Sequence, residues 1–147
     1  VRLIVIDVFP ALLSWEGRGA SGGASAGLGA REAISILADA FRLVAVADGD
    51  ITGRELRDLL SVAGIDHDFT DIVTSASSGP TVTPRVVRKV ARDLGVAWDH
   101  VIMVTARPPL ARSLRGERVP TILTEHADQI GTVPEAIERL FSGPLNP

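Results

Sequence analysis

Cysteine is absent from the 147-residue chain, which excludes disulfides and thiolate metal sites. Lysine is nearly absent. Lys89 is the single one, and apart from three histidines every other basic side chain is arginine. An excess of positive charge is missing too: 15 Lys and Arg stand against 18 Asp and Glu, a formal net charge of -3. That leaves no basic field to attract nucleic acid or an anionic membrane surface. Long apolar runs are lacking, since 43–47 and 101–104 fall far short of the ~20 residues a helix needs to span lipid. Residues 1–6 are too few and too β-branched for a signal peptide's apolar region, so a cytoplasmic location is expected. What remains is 46% hydrophobic and 22% charged, the composition of a globular protein, and the length fits one domain with a real core.

The apolar patterning is that of alternating strands and helices. Residues 3–8 are a continuous apolar run broken only by Asp7, which predicts a buried strand with an acid at its C-terminal end. Gly, Ala and Ser dominate 16–30 without an apolar period, so a flexible surface loop is expected there. Ala33, Ile34, Leu37 and Ala38 follow helical spacing across 31–40. A second strand at 43–47 leads through the Asp48-Gly49-Asp50 turn to a helix. Thr52 is placed to cap it, Glu55 completes a capping box, and Gly64 ends it. A third strand is expected at 71–74. Pro84 opens a helix that buries Val86, Val87, Val90 and Leu94 and closes at Gly95. A fourth strand at 101–104, a short helix after Pro109, a fifth strand at 121–123 and a last helix from Pro134 to about Phe141 complete the order. Such alternation predicts a three-layer, Rossmann-like α/β domain with a parallel sheet of about five strands. Sites in such sheets form beyond the C-terminal strand ends, near the switch in strand order. That directs attention to 7–11, 47–50, 75–83 and 105–111.

Four of these segments carry a resemblance. Ile6-Asp7-Val8-Phe9-Pro10-Ala11-Leu12 resembles the first motif of the haloacid dehalogenase superfamily, and 43–50 resembles its second-motif strand and turn. Residues 84–96 resemble the helix after the third motif, and 101–106 the fourth. All four occur in order over nearly the whole chain. The resemblance implies a single core domain over 1–147, with the Gly-rich 16–30 stretch where relatives often carry a cap. It implies that Asp7 stands at the position of the nucleophile, which forms a covalent ester intermediate. It also implies a Mg²⁺ site and an anion grip made of a Ser or Thr and a Lys.

The chemical positions depart from that pattern. Phe9 stands where phosphatases carry an acid/base aspartate, an aromatic that resembles the dehalogenase branch. Ala47 replaces the anion-binding hydroxyl, Thr81 (or Thr83 in another alignment) falls on the lysine position, and Ala106 and Ala111 replace metal-binding acids. Lys89 falls inside a predicted helix and reads as a surface residue. With so little left to stabilise charge, Asp7 reads as an inherited acid in a hydrogen bond or ion pair. Arg107 follows the fourth strand at once and is expected to reach it and supply the positive charge. Asp48 and Asp50 admit a cation site with Asp7, but Asp-Gly is ordinary turn chemistry and the turn reading is preferred. Asp66-His67-Asp68 reads as a solvated loop, and Trp15 and Trp98 as core packing.

The expectation is therefore a catalytically degenerate protein with a binding or structural role, without a cofactor, as a homodimer or with a protein partner. Two alternatives stand beside it. One is a hydrolase of phosphatase or haloacid dehalogenase type that uses Asp7 as nucleophile, with Mg²⁺. The other is an anion-binding module built on backbone amides after the strands.

Overall fold

The computed structural model describes residues 2–16, 23–49, 51–74 and 81–141. The chain runs through β1 (Leu3–Asp7), a kinked helical turn α1 (Val8–Ala11), β2 (Leu13–Glu16), β3 (Gly23–Ala26), α2 (Ala30–Ala40) and β4 (Arg42–Ala47). It continues through α3 (Gly53–Val62), β5 (Asp71–Thr74), α4 (Pro84–Asp93), β6 (Val101–Thr105), α5 (Pro108–Gly116), β7 (Thr121–Leu123) and α6 (Val133–Phe141). Among the described residues no helix is long and apolar enough to cross a membrane.

Five strands form a parallel sheet in the order β5-β4-β1-β6-β7. All five residues of β1 and of β6 are buried, which is why residues 3–6 and 101–104 read as continuous apolar runs rather than alternating ones. Side-chain alternation divides the core in two. Ile4, Ile6, Leu43, Ala45, Ile102 and Val104 pack with residues of α2, α3 and α6. Leu3, Val5, Val44, Val46, Val101 and Met103 pack with residues of α4 and α5. The three-layer expectation is thus met.

The connections explain where a site can form. From β1 the chain moves outward to β4 and β5, then returns to the other side of β1 for β6 and β7. The order switches between β1 and β6, and a crevice opens beyond their carboxyl ends. Local signals hold as expected at several joints. Thr52 Oγ1 accepts from the Glu55 amide at 3.1 Å, and Glu55 Oε1 accepts from the Thr52 amide at 3.1 Å, closing the capping box. Pro84 sits in the first turn of α4.

The stretch 16–30 differs from the expected loop. Residues 23–26 form β3, which pairs antiparallel with β2, and α2 begins at Ala30. Gly-Ala-Ser-Ala has no large side chains to show a period, so the strand is set by backbone pairing rather than by apolar burial. Residues 17–22 of the same stretch lie outside the described residues. The hairpin is anchored at Gly27, whose N–H donates to the Leu12 carbonyl at 2.9 Å. A Cβ on Gly27 would lie 1.8 Å from the carbonyl oxygen of Ala127, so only glycine lets these two backbones meet. Gly27→Ala is expected to lose about 2–3 kcal/mol. Gly53→Ala, with nothing within 4 Å of the added carbon, should stay within about 0.5 kcal/mol of wild type. Urea unfolding of both variants checks this, and equal stability of the two would contradict the close approach.

Candidate active site

Asp7 ends β1 and is 0% exposed. Thr105 ends the neighbouring β6, and its hydroxyl donates to Asp7 Oδ2 at 2.8 Å. The same hydroxyl accepts from the Arg107 amide at 3.1 Å. Arg107 is the N-cap of α5, with extended backbone, as expected of a residue before proline. Pro108 and Pro109 fix the first turn that follows it. The Arg107 side chain turns back over the strand ends. Nη2 donates to Asp7 Oδ1 at 2.9 Å and lies 3.4 Å from the Phe9 carbonyl oxygen. Nη1 donates to both carboxylate oxygens of Asp48, at 2.9 and 3.0 Å. Asp48, just past β4, also accepts the Val82 amide at 2.9 Å, which ties the approach to α4 into the same network.

Both charges of the inner pair respond to this setting. Burial pushes the Asp7 carboxyl up to about 6 from its usual 3.8; Arg107 and the Thr105 hydroxyl pull the other way without overcoming it, and Asp48 adds to the rise. Burial works against the charge of Arg107 as well, but there Asp7 and Asp48 prevail, and its pKa is raised. One guanidinium therefore faces two carboxylates.

Of the residues singled out by sequence, Asp7, Asp48 and Arg107 converge. Thr81 does not join them: it is exposed on the wall of the adjoining cleft and takes no part in the hydrogen bonds around Asp7. Asp50 lies outside the described residues. Ala47 and Ala111 are core residues, and Ala106 lines the cleft. Lys89 is on the surface of α4, paired with Asp93 at 3.1 Å, as expected for a surface residue. His67 is solvent-facing between Asp66 and Asp68. Trp98 packs against the core beneath Arg88, whose guanidinium carbon is 4.4 Å from the ring centre. Thr105 was not singled out by sequence; its one signal is its place at the end of a strand beside the switch point.

The cleft above the network has a volume of about 820 Å³. Phe9, Pro10, Leu13, Val82, Pro109 and Leu110 supply much of its wall, and Asp48 and Arg107 its charged floor.

A Mg²⁺ ion of the kind the resemblance implies does not fit this arrangement. The Asp7 carboxylate and the Phe9 carbonyl both face Arg107 Nη2, so a fixed cation already stands between them. A hard cation takes about six oxygens, and among the described residues no group of three or more His, Cys, Asp or Glu converges to hold a metal.

The Asp7 carboxyl also sets a pH signature. Between pH ~4 and ~6 the native state keeps a proton that the unfolded chain has lost, so stability falls as pH rises through this window, by roughly 2–3 kcal/mol. The stability difference between Asp7→Asn and wild type, from urea unfolding at pH 4 to 8, should move in favour of the variant over that range and level off above it. A difference that stays flat with pH would contradict the raised pKa.

No family model and no curated protein matches the sequence. Solved structures do match. The chain aligns with the core domain of a Streptococcus pneumoniae protein assigned as a phosphoglycolate phosphatase, at TM-score 0.61 and 16% identity over 97% of this chain and 96% of that one. An assigned phosphoglycolate phosphatase from Haemophilus somnus aligns at TM-score 0.65 and 12% identity, over 78% of this chain and 58% of that one. L-2-haloacid dehalogenase from Xanthobacter autotrophicus, with chloropropionic acid covalently bound, aligns at 0.60 and 18%, over 84% and 48%. The chain thus spans about half to three-fifths of the length of the latter two proteins. With its five-stranded parallel sheet, its helices on both faces and these alignments, the chain has the haloacid dehalogenase-like fold.

Proposed function

We propose that this is a catalytically degenerate protein of the haloacid dehalogenase-like fold, with a binding rather than a hydrolytic role, and that its β2–β3 hairpin stands where relatives carry a cap. The observation that carries this reading is the engagement of Asp7. A nucleophilic carboxylate has to be ionised, reachable and free to align with the reacting atom. Asp7 is fully buried, and its two oxygens are engaged by Arg107 and the Thr105 hydroxyl, so it is neither reachable nor free to align.

The loss of charge-stabilising groups supports the same reading. Each anion-stabilising donor is worth about 3 kcal/mol of barrier. Ala47 and Ala106 have no donor or acid to give, Thr81 stands apart from the network, and Lys89 is paired on the surface of α4. Arg107 is the one cation beside Asp7 among the described residues, and both its terminal nitrogens are bonded to the protein's own acids. The alternative, a hydrolase using Asp7 with Mg²⁺, has one observation in its favour: the crevice at the switch point is kept as a cleft.

Turnover of p-nitrophenyl phosphate and 2-chloropropionate, measured with and without Mg²⁺ beside an Asp7→Asn control, separates the two. No difference between wild type and the control is expected. Turnover that disappears in the control would overturn the degenerate reading.

A further inference from the structure

The charge balance of the cleft points to a class of ligand. Its volume is that of a small-molecule site, and its walls are apolar with few polar groups, the usual make-up of such a site. Among the described residues that line it, Asp48 and Arg107 are the charged ones. The charge of Arg107 is already matched: Nη1 serves Asp48, and Nη2 serves Asp7 and lies near the Phe9 carbonyl. Among the described residues, one guanidinium against two carboxylates leaves one negative charge in excess at neutral pH. Asp7 is sealed, whereas the Asp48 side chain is 34% exposed, so the excess faces the cleft through Asp48.

The helix that begins at this floor does not reverse the sign. A helix N-terminus attracts anions through its first free amide groups. The first two positions of α5 are Pro108 and Pro109, which have no N–H to offer. α4, whose start also lines the cleft, opens with Pro84. An anion entering here meets a net negative floor and weakened helix termini.

We propose that the cleft binds a small organic cation, a primary ammonium compound whose charged end meets Asp48 and whose apolar body rests on Phe9, Pro10, Val82 and Leu110. Asp48 Oδ2, whose one partner among the described residues is Arg107 Nη1 at 3.0 Å, accepts from the ammonium. Phe9 adds an aromatic surface, which favours a cation over a neutral or anionic group. This ligand class rests on the degenerate reading, because a hydrolase of phosphate esters or haloacids at the same floor would have to accept an anion.

Three probes of similar skeleton test it: 2-phenylethylammonium, 2-phenylethanol and 3-phenylpropionate, with inorganic phosphate as a fourth. Each is titrated into ¹⁵N-labelled wild-type protein, following the amides of Val82, Ala106 and Leu110. The ammonium compound is expected to bind more tightly than the carboxylate by on the order of fivefold, with the alcohol between them. Asp48→Asn, whose amide oxygen can still accept the Val82 N–H, should erase that preference. Tighter binding of the carboxylate or of phosphate, or no shift with any probe, would overturn the proposal. If Asp48→Asn does not fold, the order of the wild-type probes decides alone. Anion preference without Asp7-dependent turnover would sink the ligand class and leave the degenerate reading standing. Asp7-dependent turnover would remove that reading itself.

Discussion

The guanidinium of Arg107 is the group on which the site depends. Three strand ends meet there: Asp7 from β1, Asp48 just past β4, and Arg107 itself just past β6. Through the Asp48 contact with the Val82 amide, the approach to α4 is drawn in as well. Two acids at the carboxyl ends of adjacent strands would repel each other in a partly dry crevice without a cation between them. Arginine suits that task because its planar fork can serve two carboxylates at once and keeps its charge when buried. Such a pair is weak evidence for added stability, since burial of the charges costs about as much as their attraction returns. Its effect is on geometry and access: Asp7 is held still and covered.

This arrangement separates the frame from the chemistry. The sheet is held by buried apolar faces, Ile4, Ile6, Ile102 and Val104 on one side and Leu3, Val5, Val101 and Met103 on the other. Ala47 belongs to that packing and Ala106 lies against it, whereas the exposed Thr81 takes no part in it. The fold is shared with the aligned structures at 12–18% identity, and function has to be argued from the site rather than from the frame. One cation fixed by a side chain stands at the switch point, facing two of the protein's own acids.

The frame was largely legible in the sequence because its signals are local. The runs at β1, β4 and β6, the Thr52–Glu55 capping box and the prolines of α4 and α5 each declare themselves within a few residues. The meeting of Arg107 with Asp7 was also readable, since both stand at the C-terminal ends of predicted strands, where sites of such sheets form. Other parts had no sequence signal. The Val82 amide and the Phe9 carbonyl are backbone groups, which carry no residue identity. Thr105 is a common strand residue whose role appears only when β6 is laid beside β1. The β2–β3 hairpin is made of residues too small to mark a period, and the cleft arises from segments far apart in the chain.

The central claim is that Arg107 fills the place a metal ion would need. Thermal unfolding with and without millimolar Mg²⁺ tests it directly in wild type and in Arg107→Ala. The wild-type midpoint should not move. In the variant, where Asp7 and Asp48 face each other without a cation, Mg²⁺ should raise the midpoint by about 2–4 °C. A wild-type protein stabilised by Mg²⁺ to that extent would contradict the account, because it would show that the ion finds a site the guanidinium was held to occupy.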